Sequence, residues 1–308
     1  GHTILAQPAV YLIVSLPVWW LSQISYKDRD WLATVAAVVL LATIAMRDIP
    51  DYFYEWPQRG MTRFLYRADI HDVAEYLNDE PNLGDFAISG LLAGPWDKLA
   101  LSIGLDDQLA ENVNARWYHP QRALMLAPKR SFAGFPVVDT PYPEAQVRVA
   151  DVGGIGGYYL MQIQPEATPQ LNLPAEPVCF ENGLCWIGAN YDPQNSHLDL
   201  AWAVEGDLKL PDMPLISNPP PPGVYSGPRL LVFAQLQDAD GNFLVGDDGF
   251  WVDPLTLQVG DRFIQQHHLP LAQDETGVTA VFGLYDPLTN ERILTQEGRD
   301  QIRQELGN

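Results

Sequence analysis

Residues 31–46 (WLATVAAVVLLATIAM) run sixteen positions without a charge, and this stretch most constrains what the chain can fold into. As a helix rising 1.5 Å per residue it would span about 24 Å, slightly short of a ~30 Å hydrocarbon core. Flanking aromatics and thinning of a bilayer would close that gap. A second apolar run, residues 8–24, is interrupted by Ser15, Pro17 and Gln23, and Pro17 would kink a helix there. Trp19, Trp20, Trp31, Tyr52, Phe53, Tyr54 and Trp56 lie towards the ends of the runs, where interfacial aromatic belts form. The expectation is two transmembrane helices over residues 1–48, with two buried helices of a soluble core as the alternative. Lys27 and Arg29 in the joining loop place everything after about residue 48 on the extracytoplasmic side by the positive-inside rule.

Beyond Asp48 the pattern changes. Within 49–143, residues 70–77 (IHDVAEYL) have helical spacing with Asp69 as N-cap, and residues 85–89 (DFAIS) read as a buried strand. Pro95 opens a second helix, and residues 116–118 and 123–126 read as strands, which together make a small α/β module. From Tyr158 onward, YYLMQIQ, LCWIGANY, LDLAWAV, LLVFAQLQ, FIQQHHLPL and VTAVFGLYD are short strands with turns between them and no helices. That spacing predicts an antiparallel β-sandwich, jelly-roll or immunoglobulin-like, over 144–308. The terminal EGRDQIRQEL reads as an exposed helix or a frayed end. The expected fold class is therefore multidomain, membrane-anchored α+β: a transmembrane helical hairpin, a small α/β module and a C-terminal β-sandwich. A net charge of −21, with only 18 Lys and Arg and no basic patch, excludes nucleic acid as a partner.

Few residues carry chemistry. Cys179 and Cys185 flank Asn182-Gly183, a hairpin signal. They form either a cross-strand disulfide in an oxidising compartment or two free buried thiols. Arg59, Arg63 and Arg67 recur every four residues and would share a helical face, free to meet lipid or carrier phosphates or to pair with nearby carboxylates. Asp48 and Asp51 would face the carrier phosphate through a metal or orient an acceptor, or else are helix-end and interface residues beside Arg47. The VGGIGG run at 152–157 has neither phosphate-loop spacing, and Asp238-Ala-Asp240-Gly241-Asn242 reads as a tight turn rather than a calcium loop. His267 and His268 alternate faces on a strand, and no metal spacing exists. Trp186, Trp202, Tyr191 and Trp251 could stack on sugar rings; Trp186 and Trp202 fall in apolar strands and read as core, whereas Trp251, beside Asp247 and Asp248, is the candidate carbohydrate contact.

RDIPDYFYEWP and RFLYRADIHDVAEYL resemble the segment just after the final membrane helix of bacterial C-type membrane glycosyltransferases, those related to protein O-mannosyltransferases (glycosyltransferase family 39) and aminoarabinose transferases. DFAISGLLAGPWDKLAL and ARWYHPQRALML are similar to their extracytoplasmic α/β portion. LLVFAQLQDADGNFLVGDDG and TAVFGLYDPLTNERI resemble the β-sandwich that follows it. The resemblance implies a C-terminal portion of an enzyme of the bacterial cell membrane. That enzyme would move a sugar from a polyprenyl-phosphate donor to a glycan or protein acceptor, and membrane lipid would be a further partner. The family's catalytic carboxylate lies in an early loop that this chain lacks. No catalytic residue is therefore assigned, no cofactor is expected in the chain itself, and a divalent metal is left to the parent enzyme. The chain opens within an apolar region, which fits a fragment expected to be inactive alone. The competing expectation is a membrane-anchored, non-enzymatic β-sandwich that binds carbohydrate or an envelope protein.

Overall fold

The structure, a computed structural model, describes Leu16, Trp19, Trp20, Arg59 and residues 31–56, 68–89, 95–111, 114–134, 140–153, 157–211, 229–271 and 277–306. The chain divides into two compact units, 1–66 and 67–308.

In the first unit, α1 (Trp31–Pro50) passes into a π-helical turn, Asp51–Glu55. Val38, Val39, Leu41 and Met46 of α1 are exposed. The structure corrects the expected transmembrane helical hairpin: among the described residues no helix is long and apolar enough to cross a membrane. The uncharged run stops at Met46, and the remaining helix carries Arg47 and Asp48. Its apolar length thus stays at about 24 Å, below the ~30 Å that a hydrocarbon core requires. Apart from Leu16, Trp19 and Trp20, the first apolar run lies outside the described residues.

The second unit is an α+β structure built on three sheets. Helix α2 (Ala68–Asp79) forms because Ile70, Val73, Ala74 and Leu77 repeat at i, i+3, i+4 and i+7, and all four are buried. It packs with α3 (Pro95–Gly104) on a mixed sheet, and a single turn, α4 (Asp107–Ala110), follows. In that sheet β1 (Ala87–Ser89) runs parallel to β2 (Arg116–Tyr118) and to β4 (Arg130–Ala133). Antiparallel β6 (Tyr158–Ile163) and β5 (Gln146–Val152) extend it on the β4 side.

Between β2 and β4 the chain leaves this sheet. Strand β3 (Ala123–Ala127) pairs instead with β12 (Arg262–His268), at the edge of a second sheet ordered β3-β12-β9-β8-β7. Its other members are β7 (Val178–Cys179), β8 (Leu184–Asp192) and β9 (His197–Val204). The third sheet joins β10 (Leu231–Gln237), β11 (Phe243–Gly246), β13 (Thr279–Tyr285), β14 (Arg292–Ile293) and β15 (Ile302–Glu305). Leu198, Leu200, Trp202 and Phe263 of the second sheet share one core with Val232, Leu236, Ala280 and Phe282 of the third, so these two sheets pack face to face. On the outer face of the second sheet, Leu124 and Ile264 meet Met161 and Ile163 of the mixed sheet. The same period-two pattern therefore buries both faces of β3 and β12.

The terminal segment expected as a helix or a frayed end is strand β15. Its Ile302 is buried against the sandwich core, and the strand pairs with β13. Cys179 and Cys185 are opposite one another in the β7–β8 hairpin and are joined by a disulfide. The turn between them uses Gly183 at φ 93°, a left-handed conformation that favours glycine.

A buried charge cluster ties the mixed sheet to the second sheet. Arg116, 2% exposed at the head of β2, donates from Nε to Asp261 Oδ2 at 2.9 Å and Oδ1 at 3.2 Å. Its Nη2 donates to Gln258 Oε1 and its Nη1 to the Asn114 carbonyl, each at 2.8 Å. Asp261 directly precedes β12. Replacing Arg116 with Met strands a buried carboxylate, so the expected loss of stability is about 3–5 kcal/mol. An Arg116→Met/Asp261→Leu double variant should recover more than half of it in urea denaturation. Equal losses in the single and double variants would contradict the assignment.

Candidate functional site

Four of the chain's six histidines gather near Arg122 and Asp247, where β3 begins, β12 ends and the 247–253 segment crosses between them. That segment is anchored at several points. The Asp247 N–H donates to the Ala234 carbonyl at 2.9 Å, and Gly249 exchanges two backbone hydrogen bonds with Val232. Further along, the His119 N–H donates to the Trp251 carbonyl and the Asp253 N–H to the Trp117 carbonyl, both at 2.7 Å.

Buried side chains lock the same segment from below. Period two on β12 puts Phe263, Gln265 and His267 on the core face, and all three are 0% exposed. The Trp251 N–H can only donate, and at 3.3 Å it meets Gln265 Oε1. The Gln265 amide nitrogen therefore faces His267 Nε2, at 2.8 Å, and that ring nitrogen must accept. The proton then resides on Nδ1, which donates to the Asp247 carbonyl at 2.9 Å. The Trp251 backbone N–H thus sets the amide orientation, the acceptor-only Asp247 carbonyl requires the same tautomer, and the relay joins Trp251 to Asp247. Burial pushes the His267 imidazole down to about 4; the Asp247 charge and carbonyl oppose this, and Arg122 reinforces it.

Above the relay lies the surface. Asp247 Oδ2 accepts from Arg122 Nη1 at 3.2 Å and from the His268 N–H at 2.8 Å. The Arg122 guanidinium carbon sits 5.1 Å from the Trp251 ring centroid, and the His119 ring meets the indole edge-on at 6.1 Å. Gly249 lies against the indole: a Cβ there would come within 2.2 Å of Trp251 Cζ2. The indole is clamped and half-buried, and its Nε1 is buried without a hydrogen-bond partner, so a ligand would meet only the remaining exposed part of the ring together with the Arg122 N–H groups. Burial and Arg122 lower the His119 pKa. His197 and His268 pair across β9 and β12 with ring centroids 5.4 Å apart, and burial followed by His268 lowers the His197 pKa. Asp248 is exposed and accepts from the Tyr285 hydroxyl at 2.9 Å.

The structure therefore brings Trp251 and Asp247 together, whereas Asp248 turns to Tyr285 of the third sheet. Arg59 pairs with Asp51 at 2.7 Å in the first unit, and Arg63 and Arg67 lie outside the described residues. Trp186 and Trp202 are buried in the sandwich core, and Tyr191 donates to the Leu269 carbonyl at 3.1 Å. Asp238 accepts from the backbone of Asp240 and Asn242, with Gly241 at φ 83°, which makes that segment a turn. Among the described residues no group of three or more His, Cys, Asp or Glu could hold a metal ion. Arg122, His119, Gln265 and the relay role of His267 escaped sequence reasoning. A usable signal existed: two polar residues on the apolar face of β12.

No protein-family model matches the sequence, and comparison with curated proteins gives no match. Among solved structures, the β-glucuronidase of Parabacteroides merdae aligns at 14% identity with a TM-score of 0.18. That alignment covers 51% of this chain and 16% of the β-glucuronidase chain, and so slight a likeness bears on neither fold nor function.

With a folded-state pKa for His267 near 4 against an ordinary 6.5, the unfolded chain takes up the proton more readily. Stability should therefore fall as pH drops from about 6.5 towards 4, by about 3 kcal/mol from this group. Urea denaturation across that window should show a shallower decline in His267→Gln than in the native chain. Parallel declines would rule out His267 as the source.

Proposed function

We propose that this chain is a non-catalytic, extracytoplasmic carbohydrate-binding module whose contact surface is Trp251, Arg122 and His119. The observation that carries this reading is the buried relay beneath Trp251. It holds a half-buried aromatic ring and a guanidinium fork in fixed positions, which lowers the ordering cost of binding. Hydroxyl-rich ligands suit this combination: the exposed part of the indole packs on the apolar surface of a sugar, and the Arg122 side chain donates to hydroxyls. The Cys179–Cys185 disulfide supports a place outside the cytoplasm, where oxidising conditions preserve such bonds.

The resemblance to family 39 supplies a setting. Such a module would present a glycan or protein acceptor to an enzyme that draws its sugar from a polyprenyl phosphate. The chain would then bind and orient without transferring.

Two measurements test this. A panel of neutral, amino and uronic-acid oligosaccharides, titrated while the Trp251 indole N–H resonance is followed, should yield at least one saturable shift. Trp251→Ala should weaken that ligand by about 2 kcal/mol, with Arg122→Gln weakening it in the same direction. An indole resonance unmoved by every member of the panel would refute the proposal. The isolated chain should also transfer no sugar from a polyprenyl-phosphate donor, and turnover by it would overturn the non-catalytic reading.

A further inference from the structure

The His267 relay lies directly beneath the residues proposed to touch ligand, and it is satisfied in one protonation state alone. Neutral His267 donates from Nδ1 to the Asp247 carbonyl and accepts at Nε2 from Gln265, whose Oε1 holds the Trp251 N–H. A second proton could only sit on Nε2. There it would face the Gln265 amide N–H groups, donor against donor. Rotating the Gln265 amide would give the imidazolium an acceptor but would take Oε1 away from Trp251. Either way one buried donor loses its partner, which costs about 1–3 kcal/mol.

The charged groups acting on the imidazole come from two directions. The Asp247 carboxylate is 3.9 Å from Nδ1, on the segment that the relay holds. The Arg122 guanidinium acts from the head of β3 and is itself paired with Asp247. The register partner of His267 on β9 is Leu198, which is uncharged. Protonation therefore leaves Asp247 drawn between two cations, Arg122 and His267, while its own backbone is tied into the relay.

We propose that His267 is an acid-sensitive latch: a proton on Nε2 breaks the Gln265–Trp251 link, frees the 247–251 segment and releases ligand from the Trp251 surface. The release of ligand rests on the carbohydrate reading above; the opening of the segment does not. Because the latch is reached by proton uptake alone, it needs no other co-reactant. It would make binding strong near neutrality and weak in acid.

Amide hydrogen exchange of the ligand-free chain, corrected for intrinsic pH dependence, tests the opening itself. With the His267 imidazole followed by NMR in the same samples, protection of the Trp251 N–H should fall about tenfold as that ring titrates. Protection of Phe282, in the sandwich core, should fall only as far as global stability does, so that at the acid end Trp251 is at least tenfold less protected than Phe282. Constant protection at Trp251 through the titration would overturn the latch, and so would equal protection at Trp251 and Phe282 at the acid end, since that marks global unfolding. With the oligosaccharide selected at pH 7, affinity should drop about tenfold across the same range and stay level in His267→Gln. A flat profile in the native chain would overturn the release. If no oligosaccharide binds at pH 7, the carbohydrate reading fails, while the exchange experiment, which needs no variant, still decides the latch.

Discussion

Where β2 of the mixed sheet meets the turn into β12, Arg116 and Asp261 face one another almost wholly out of solvent. Neither sheet can slide past the other without uncovering a charge, and a stranded buried charge costs about 3–5 kcal/mol. The pair lies where the chain leaves the mixed sheet after β2, lays β3 against β12 and returns as β4. Arg116 is satisfied by Asp261, Gln258 and the Asn114 carbonyl, and both edges of β1 are taken by β2 and β4. The packing of Leu124 and Ile264 against Met161 and Ile163 follows from that crossing.

The same crossing builds the candidate site. The head of β3 brings Arg122 and His119 to the far end of β12, where Gln265 and His267 occupy core-face positions. The 247–253 segment bridges the third sheet, through Val232 and Ala234, to β2, through Trp117. Three elements distant in sequence thereby converge on Trp251. None of them alone would fix its backbone, and the Gln265–His267 relay supplies the missing constraint from inside the core.

How much was legible in the sequence follows from which forces are local. The strands of the sandwich show as alternation, and the β7–β8 hairpin shows as Asn182-Gly183, because pleat and turn are set within a few residues. Strand β15 was hidden because IRQE has one buried apolar residue, Ile302, and depends on β13 for its hydrogen bonds. The exchange of β3 between sheets was hidden for the same kind of reason: ALMLA fits any buried strand, and its neighbours, β12 beside it and Met161 and Ile163 across it, come from distant parts of the chain. Residues 31–46 were misleading as a membrane span because apolar composition alone does not supply the length, and the helix carries Arg47 and Asp48 before it ends. At the site, Trp251, Asp247 and Asp248 stood out by type. Arg122 and His119 did not, since more than a hundred residues of chain separate them from their partners.

Two fixed backbone groups, the Trp251 N–H and the Asp247 carbonyl, set the state of the whole relay. The tautomer of His267 tests it most directly, through long-range nitrogen–proton correlation on histidine-labelled protein at neutral pH. The relay requires a neutral ring protonated on Nδ1 with Nε2 bare. A ring protonated on Nε2, or an equal mixture of the two tautomers, would contradict it, because Gln265 could then not hold Trp251 and His267 together.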